Sequence, residues 1–169
     1  MHYCDIAPGH PIHGPYHDTE YGFPVTHDQI LFERLTLEAF QAGLSWEIIL
    51  KKREGLRVAF YDYDLKRIAA MTETDVERLR ETPAIIRNRL KILATIHNAK
   101  QVIRFQESSG SFYQWLINQP WRELDEWVKC MRKHFKFMGP EIVNEFLMSI
   151  GLLPGAHRDD CPIYRKLQQ

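Results

Sequence analysis

From residue 28 onward the apolar side chains recur at helical spacing, and no stretch alternates as a half-buried strand does. Leu31, Leu35, Glu38 and Ala42 fall at i, i+4, i+7 and i+11, one face of a helix that Gly43 stops. Thr26 to Gln29 has the spacing of a capping box at its start, and Thr74 with Glu77 offers another. Ser45 can cap a following helix, with Glu47 in its first turn. A long helix is predicted over 86–106, and Ser111 can cap a short one over 112–117. A further helix is expected over 123–134, and Pro140 suits a first helical position with Gly151 as a stop. Residues 1–27, rich in His, Pro, Gly and Tyr, read as irregular, and so does the tail from residue 152. The pattern confines the chain to an all-α fold.

At 169 residues with 44% hydrophobic side chains, the chain can bury a core as one domain. Disorder is excluded as its main state. No apolar run reaches the roughly 18 residues a membrane helix needs, and the start lacks a signal-like segment, so a cytoplasmic protein is expected. Nothing in the composition demands an oligomer, so a monomer is expected. Three separated cysteines do not form a disulfide framework. The net charge is zero, but its distribution is uneven. Residues 1–38 hold six acids and one base, whereas 84–106 carry five bases (Arg87, Arg89, Lys91, Lys100, Arg104) and 129–138 carry four, both without an acid. Such partition allows a basic face despite a neutral sum.

Cys4 and His17 lie near one end, and His157 and Cys161 near the other, as His-x-x-x-Cys. Two thiolates and two imidazoles make a tetrahedral zinc set. Four protein ligands leave no open position, so the zinc would be structural and would clip the two ends together. Cys130 has no such partner and reads as a core or free thiol.

Glu38 shares its helix face with Leu31 and Leu35, where a carboxylate is unfavourable unless paired or used. Trp46 follows Gly43 by one turn, and Tyr16 and Tyr21 come from the segment the zinc would hold. Aromatic walls around an acceptor-only carboxylate suit a flat, cationic, hydrogen-bond-donating ligand such as a charged purine. Gly43-Leu44-Ser45 would form a tip between helices, from which Leu44 could wedge into a base stack.

Several blocks carry a family resemblance. Tyr16 to Pro24 (YHDTEYGFP) is similar to the YHDxEWGxP signature of the 3-methyladenine DNA glycosylase I family. Leu37 to Trp46 (LEAFQAGLSW) with Leu50 to Glu54 (LKKRE) resembles that family's central block. Ile85 to Arg89 with Lys91-Ile92, and Phe135 to Gly139, resemble later blocks in the same order. The resemblance spans Cys4 to about Leu116 and Lys129 to Cys161. It implies a helix-hairpin-helix glycosylase fold, closed by a Cys-His-His-Cys zinc site. It also implies monofunctional hydrolysis of the N-glycosidic bond of alkylated adenine in double-stranded DNA, leaving an abasic site. Carried over by position, Glu38 binds the flipped base, while Tyr16 and Trp46 contact it. Gly43 and Leu44 fill the gap in the duplex. The hairpin, over about 79–92, grips a phosphate through backbone N–H groups, with Arg87, Arg89 and Lys91 as neighbours.

N-methylation leaves the nucleoside cationic and its bond to the sugar weak. Base flipping, exclusion of water and admission of one water molecule then carry much of the task. No second carboxylate is evident as a general base. The chain departs from the family at Tyr21 (usually Trp), at His13 (an aromatic expected) and at Ala84 (a hairpin glycine). It departs again at Asn144 and Met148 (usually Tyr and Gln), and it is shorter over 117–128. Tyr21 and His13 are expected in the base pocket. Two other readings share these residues. One is a zinc-clipped helical module that binds damaged DNA without excision. The other is a zinc hydrolase, which the four-ligand count opposes.

Overall fold

The computed structural model describes residues 1–169 as eleven α-helices and one 3-10 turn, with no strand. The helices are α1 (Tyr3–Ile6), α2 (His13–Thr19), α3 (Asp28–Gln41), α4 (Trp46–Ala59), α5 (Leu65–Ala69) and α6 (Glu73–Arg80). They continue with α7 (Arg89–Ser109), α8 (Phe112–Ile117), α9 (Leu124–His134), α10 (Pro140–Ser149) and α11 (Pro162–Leu167). No helix is long and apolar enough to cross a membrane.

Side-chain caps fix several of these ends. Ser45, Asn88 and Ser111 accept from the backbone N–H of Ile48, Lys91 and Gln114, and Pro140 opens α10. Two expected caps are corrected. The box at the start of α6 is Thr72 with Asp75, not Thr74 with Glu77. At α3 the N-cap His27 bonds nothing through its side chain. Asp28 instead reaches across to α8, accepting from the N–H groups of Phe112 at 2.9 Å and Tyr113 at 3.0 Å. An acid there meets the positive N-terminal end of a second helix, which outcompetes a local cap. The ends of the chain are not wholly irregular either. Residues 1–27 contain α1 and α2, and the tail contains α11.

Helix α3 is the axis of the fold. It packs against α4, α7, α8 and α10, and every residue from Leu31 to Phe40 is buried. A helix surrounded on all sides must partner its polar residues internally. Thr36 donates to the Phe32 carbonyl at 2.7 Å. Glu33 accepts from Arg53 and Arg57 at 2.6–3.1 Å. Arg34 donates to the Ser149 carbonyl at 3.2 Å. Two atoms are exceptions, Arg34 Nε and Glu38 Oε2, and of these two residues only Glu38 makes no side-chain hydrogen bond at all.

The expected hairpin is α6, residues 81–88 and α7. Ala84 does not adopt a positive φ, so its methyl group imposes no strain on the turn. The requirement for glycine has moved to α4. A Cβ on Gly55 would lie 2.1 Å from the Ala84 carbonyl oxygen. Lys52 Nζ donates to the Pro83 carbonyl at 2.8 Å, so α4 holds the hairpin from below at two points.

Candidate functional site

A cavity of about 440 Å³ opens between the N-terminal segment, α3, the start of α4 and α10. Its walls include Tyr3, His13, Tyr16, Tyr21, Glu38, Trp46 and Glu145. The structure therefore gathers all five residues the sequence assigned to a base pocket. Tyr16 and Trp46 stand with ring centres 5.3 Å apart and planes at 58°, and Tyr16 and Tyr21 are 5.8 Å apart. Arg34 and Arg53 lie behind Tyr16, with guanidinium carbons 5.1 and 5.8 Å from its ring centre. Arg53 is in turn held by Glu20 at 2.7 Å through both terminal nitrogens. The position of Tyr16 is thus fixed by an ion network, leaving its front face to the cavity.

Glu38 is 3% exposed. Burial raises its pKa well above the usual carboxylate range, the nearby Glu145 adds to this, and Arg34 opposes it. Its Oε2 and the Tyr16 hydroxyl are both buried, and neither has a partner within the chain. An acceptor and a hydroxyl left unpaired in one wall are unfavourable unless a ligand completes them. His13 lies at the edge, with Nδ1 3.0 Å from the Tyr3 hydroxyl and Nε2 4.0 Å from Glu47. Burial lowers its pKa, and His10 adds to the effect.

Tyr3 and Glu145 are wall residues that sequence reading missed, and Glu145 is the charged one. It projects from α10 and accepts from the Tyr21 hydroxyl at 3.0 Å. Burial raises its pKa. The sequence signal was its position between Asn144 and Met148, both marked as departures. Met148 packs behind Tyr16 and Tyr21, while Asn144 lines a neighbouring groove with Gly43 and Leu44.

Gly43 lies exposed at the tip between α3 and α4 with φ +81°, a conformation that excludes most side chains. Leu44 is half-buried against the core. On the hairpin, Arg87 is exposed, and Arg89 is tied to Glu73 and Glu77 at 2.5 and 2.8 Å. Lys91 does not join them on the surface. It is 5% exposed, and its ammonium donates to the carbonyls of Phe40 and Ala42 at 2.6 Å each. These are orphan carbonyls at the end of α3, so Lys91 acts as a C-terminal cap rather than a phosphate neighbour.

At the back of the pocket, Cys4, His17, His157 and Cys161 converge. The four sulfur–nitrogen distances are 3.4, 3.6, 3.7 and 3.9 Å. A tetrahedral ion with Zn–S of about 2.3 Å and Zn–N of about 2.0 Å places sulfur and nitrogen about 3.6 Å apart. Both imidazoles are oriented for ligation. His17 Nδ1–H donates to Asp18 at 2.7 Å and turns Nε2 to the sulfurs, while His157 Nε2–H donates to the Tyr21 carbonyl at 2.6 Å and turns Nδ1 to them. The residues fit a metal ion. Cys130 lies apart, buried beside Gln119.

Comparison with known proteins gives a consistent picture. A family model described as methyladenine glycosylase matches residues 7–165. The chain is 36% identical over 172 residues to DNA-3-methyladenine glycosylase 1 of Escherichia coli, covering 90% of this chain and 92% of that protein. It is 35% identical over 178 residues to DNA-3-methyladenine glycosylase of Haemophilus influenzae, covering 94% and 96%. Among solved structures, the Staphylococcus aureus 3-methyladenine DNA glycosylase I superimposes with a TM-score of 0.85 at 34% identity, covering 95% of both chains. A variant of 3-methyladenine DNA glycosylase I in complex with 3-methyladenine superimposes with a TM-score of 0.86 at 32% identity, covering 96% and 97%.

Proposed function

Because this chain belongs to the methyladenine glycosylase family, we propose that its aromatic cavity is the pocket for a base flipped out of DNA. The enzyme excises alkylated adenine, 3-methyladenine, from DNA by hydrolysing the bond between base and sugar. One observation carries the assignment of the pocket: the buried Glu38 Oε2 and the Tyr16 hydroxyl have no partner in the chain and face the same cavity. A purine with an exocyclic amino group supplies the donor that Glu38 lacks.

The flipped base lies against Tyr16 and Trp46, with Tyr21 and His13 as further walls. Glu38 accepts from its polar edge and steadies its positive charge. When the bond breaks, its electron pair passes to the ring and discharges that cation, so the base leaves without a general acid. Water adds to the sugar carbon and loses a proton, leaving an abasic site. Leu44, on the turn that Gly43 permits, occupies the space the base has left. The hairpin over 81–88 follows the phosphates, with Arg87 as its exposed cation and Arg89 reachable once it exchanges its carboxylates for phosphate. Cys4, His17, His157 and Cys161 hold a structural zinc ion, whose role is to fix the N-terminal pocket wall to the tail.

The test is base release from duplex DNA treated with a methylating agent, with the freed bases separated by chromatography and Glu38→Ala run beside the wild type. Release of 3-methyladenine that the substitution abolishes is the expected result. Full release by a folded Glu38→Ala variant would overturn the role of Glu38. No release by the wild type would overturn the pocket assignment.

A further inference from the structure

The cavity wall holds three carboxylates, Glu38, Glu47 and Glu145, and no lysine or arginine. Glu47 is neutralised from outside, since Lys51 Nζ lies 2.6 Å from its Oε1. Glu38 and Glu145 have no ion-pair partner. The nearest guanidinium, Arg34, sits behind the Tyr16 ring and is engaged with the Ser149 carbonyl and Glu20. His13 and the α-amino group of Met1 are the other titratable wall groups besides the tyrosines, and burial favours the neutral form of His13. The pocket therefore presents two carboxyl groups without a salt-bridge partner to whatever enters.

Glu145 is also aimed. Tyr21 donates to its Oε2 at 3.0 Å and is itself braced edge-on by Tyr3, with ring centres 5.3 Å apart at 89°. The second oxygen, Oε1, is left for a ligand. Tyr21 is one of the positions where this chain departs from its family's signature, and its hydroxyl is what fixes Glu145. A tryptophan there has no hydroxyl to offer this carboxylate.

We propose that Glu145, positioned by Tyr21, is a specificity-determining residue of this pocket, a second carboxylate that selects alkylated purines carrying a fixed positive charge over neutral purines. The inference rests on the pocket being the base site proposed above. An N-alkylated purinium spreads its charge over both rings, so a carboxylate away from Glu38 still attracts it. Glu38 alone can bond the amino edge of a neutral purine, whereas Glu145 gains chiefly from charge. Because the cation is discharged as the bond breaks, this attraction is greatest before the transition state. Glu145 therefore acts on binding rather than on bond cleavage, and it releases its hold once the base is neutral.

The experiment uses the full zinc-loaded chain and two probes, 3,9-dimethyladeninium as the fixed cation and 9-methyladenine as its neutral counterpart, with binding followed by calorimetry. Glu145→Gln is expected to weaken the cation at least tenfold, which is the loss of one charge contact even at about 12 Å and an effective dielectric near 20. Binding of 9-methyladenine is expected to stay within about twofold. On methylated DNA the same variant is expected to raise KM and, because the contact is weaker in the transition state than in the bound cation, to raise kcat with it, so that kcat/KM changes less than KM. Tyr21→Phe, which keeps the ring, is expected to shift the cation in the same direction by less, and it serves as the test if Glu145→Gln does not fold. Equal weakening of both probes, or no change in either, overturns the inference. Base release by the wild type separates the two readings. Release without a Glu145-dependent preference sinks this inference alone, whereas preference without release sinks the excision reading and leaves Glu145 standing.

Discussion

Arg53 grips both carboxylate oxygens of Glu20 at 2.7 Å, tying the YHDTEYG segment to α4 across 33 residues of sequence. The same guanidinium reaches Glu33 at 2.7 Å. Burial pushes both acids up, but hydrogen bonds and charge from Arg53, with Arg57 on Glu33 and Arg34 on Glu20, outweigh it and hold both below the usual carboxylate range. Arg53→Met would leave two largely buried acids short of partners and is expected to lower stability by about 2–3 kcal/mol at neutral pH. Groups with depressed folded-state pKa values stabilise above their unfolded values, and that contribution is lost as pH falls through the folded ones. The Tm gap between wild type and variant should therefore shrink on acidification, which a calorimetric pH series would show.

Glu38 has the opposite sign. Its folded-state pKa is raised, so its penalty is absent below the ordinary glutamate value of 4.5 and grows as pH rises toward the folded one. Glu38→Gln is expected to melt a few degrees higher than the wild type near neutral pH and at about the same temperature in acid. A variant less stable than the wild type at neutral pH would show that Glu38 is satisfied in the empty pocket after all.

Lys91 and Arg87 separate capping from phosphate contact. Lys91→Met removes two charged hydrogen bonds from the end of α3 and is expected to cost about 2 kcal/mol of stability. It should loosen the Gly43–Leu44 tip and weaken DNA binding without changing the dependence of binding on salt. Arg87→Ala should leave stability unchanged and reduce the slope of log K against log salt by about 1. Binding to a duplex with an abasic site, titrated at several salt concentrations, reads both. An unchanged slope for Arg87→Ala would remove it from the interface.

Gly55→Ala sets helix propensity against packing. Alanine is favoured over glycine inside a helix by about 1 kcal/mol. Here its methyl group would meet the Ala84 carbonyl oxygen at 2.1 Å, so the hairpin turn must move. The expected net effect is destabilisation of about 1–3 kcal/mol. DNA affinity should fall while binding of free 3-methyladenine is kept. A stabilised variant with intact DNA binding would show that the hairpin yields freely.

Removing the metal tests the clip. Metal analysis of the purified protein is expected to find one zinc per chain. Cys161→Ser, or a strong chelator, is expected to expose Cys4 to thiol reagents and to make residues 1–27 susceptible to protease before the rest of the chain. Equal protection of that segment with and without metal would reduce the four residues to a hydrogen-bonded cluster.

The all-α class and the starts of α4, α8, α9 and α10 were legible because caps and periodicity are local. Ser45 and Ser111 act within one turn of themselves, whereas the long helix expected over 86–106 runs from Arg89 to Ser109, its Asn88 cap unread. The Thr26–Gln29 box did not form, and the contact of Asp28 beside it was invisible because its partners lie 84 and 85 residues away. Lys91 misled because a lysine in a basic run looks solvated, and only the packing of α7 against α3 turns it inward. The pocket residues Tyr16, Tyr21, Glu38 and Trp46 were found because their types and motifs announce a ligand. Glu145 was not, since an acid on an amphipathic helix resembles any surface acid until α10 is placed against Tyr21.

The wall of the base pocket formed by α1 and α2 depends on His157, which hydrogen-bonds the Tyr21 backbone and meets Cys4 across 153 residues. The wall from the N-terminal segment is thus completed by a residue of the C-terminal tail. A chain cut before His157 would keep the residues of the helical core and the hairpin but would lack the contact that closes the cavity. It would then act as a weak, lesion-blind DNA ligand, and discrimination between damaged and undamaged bases would arrive in one step, when the tail docks.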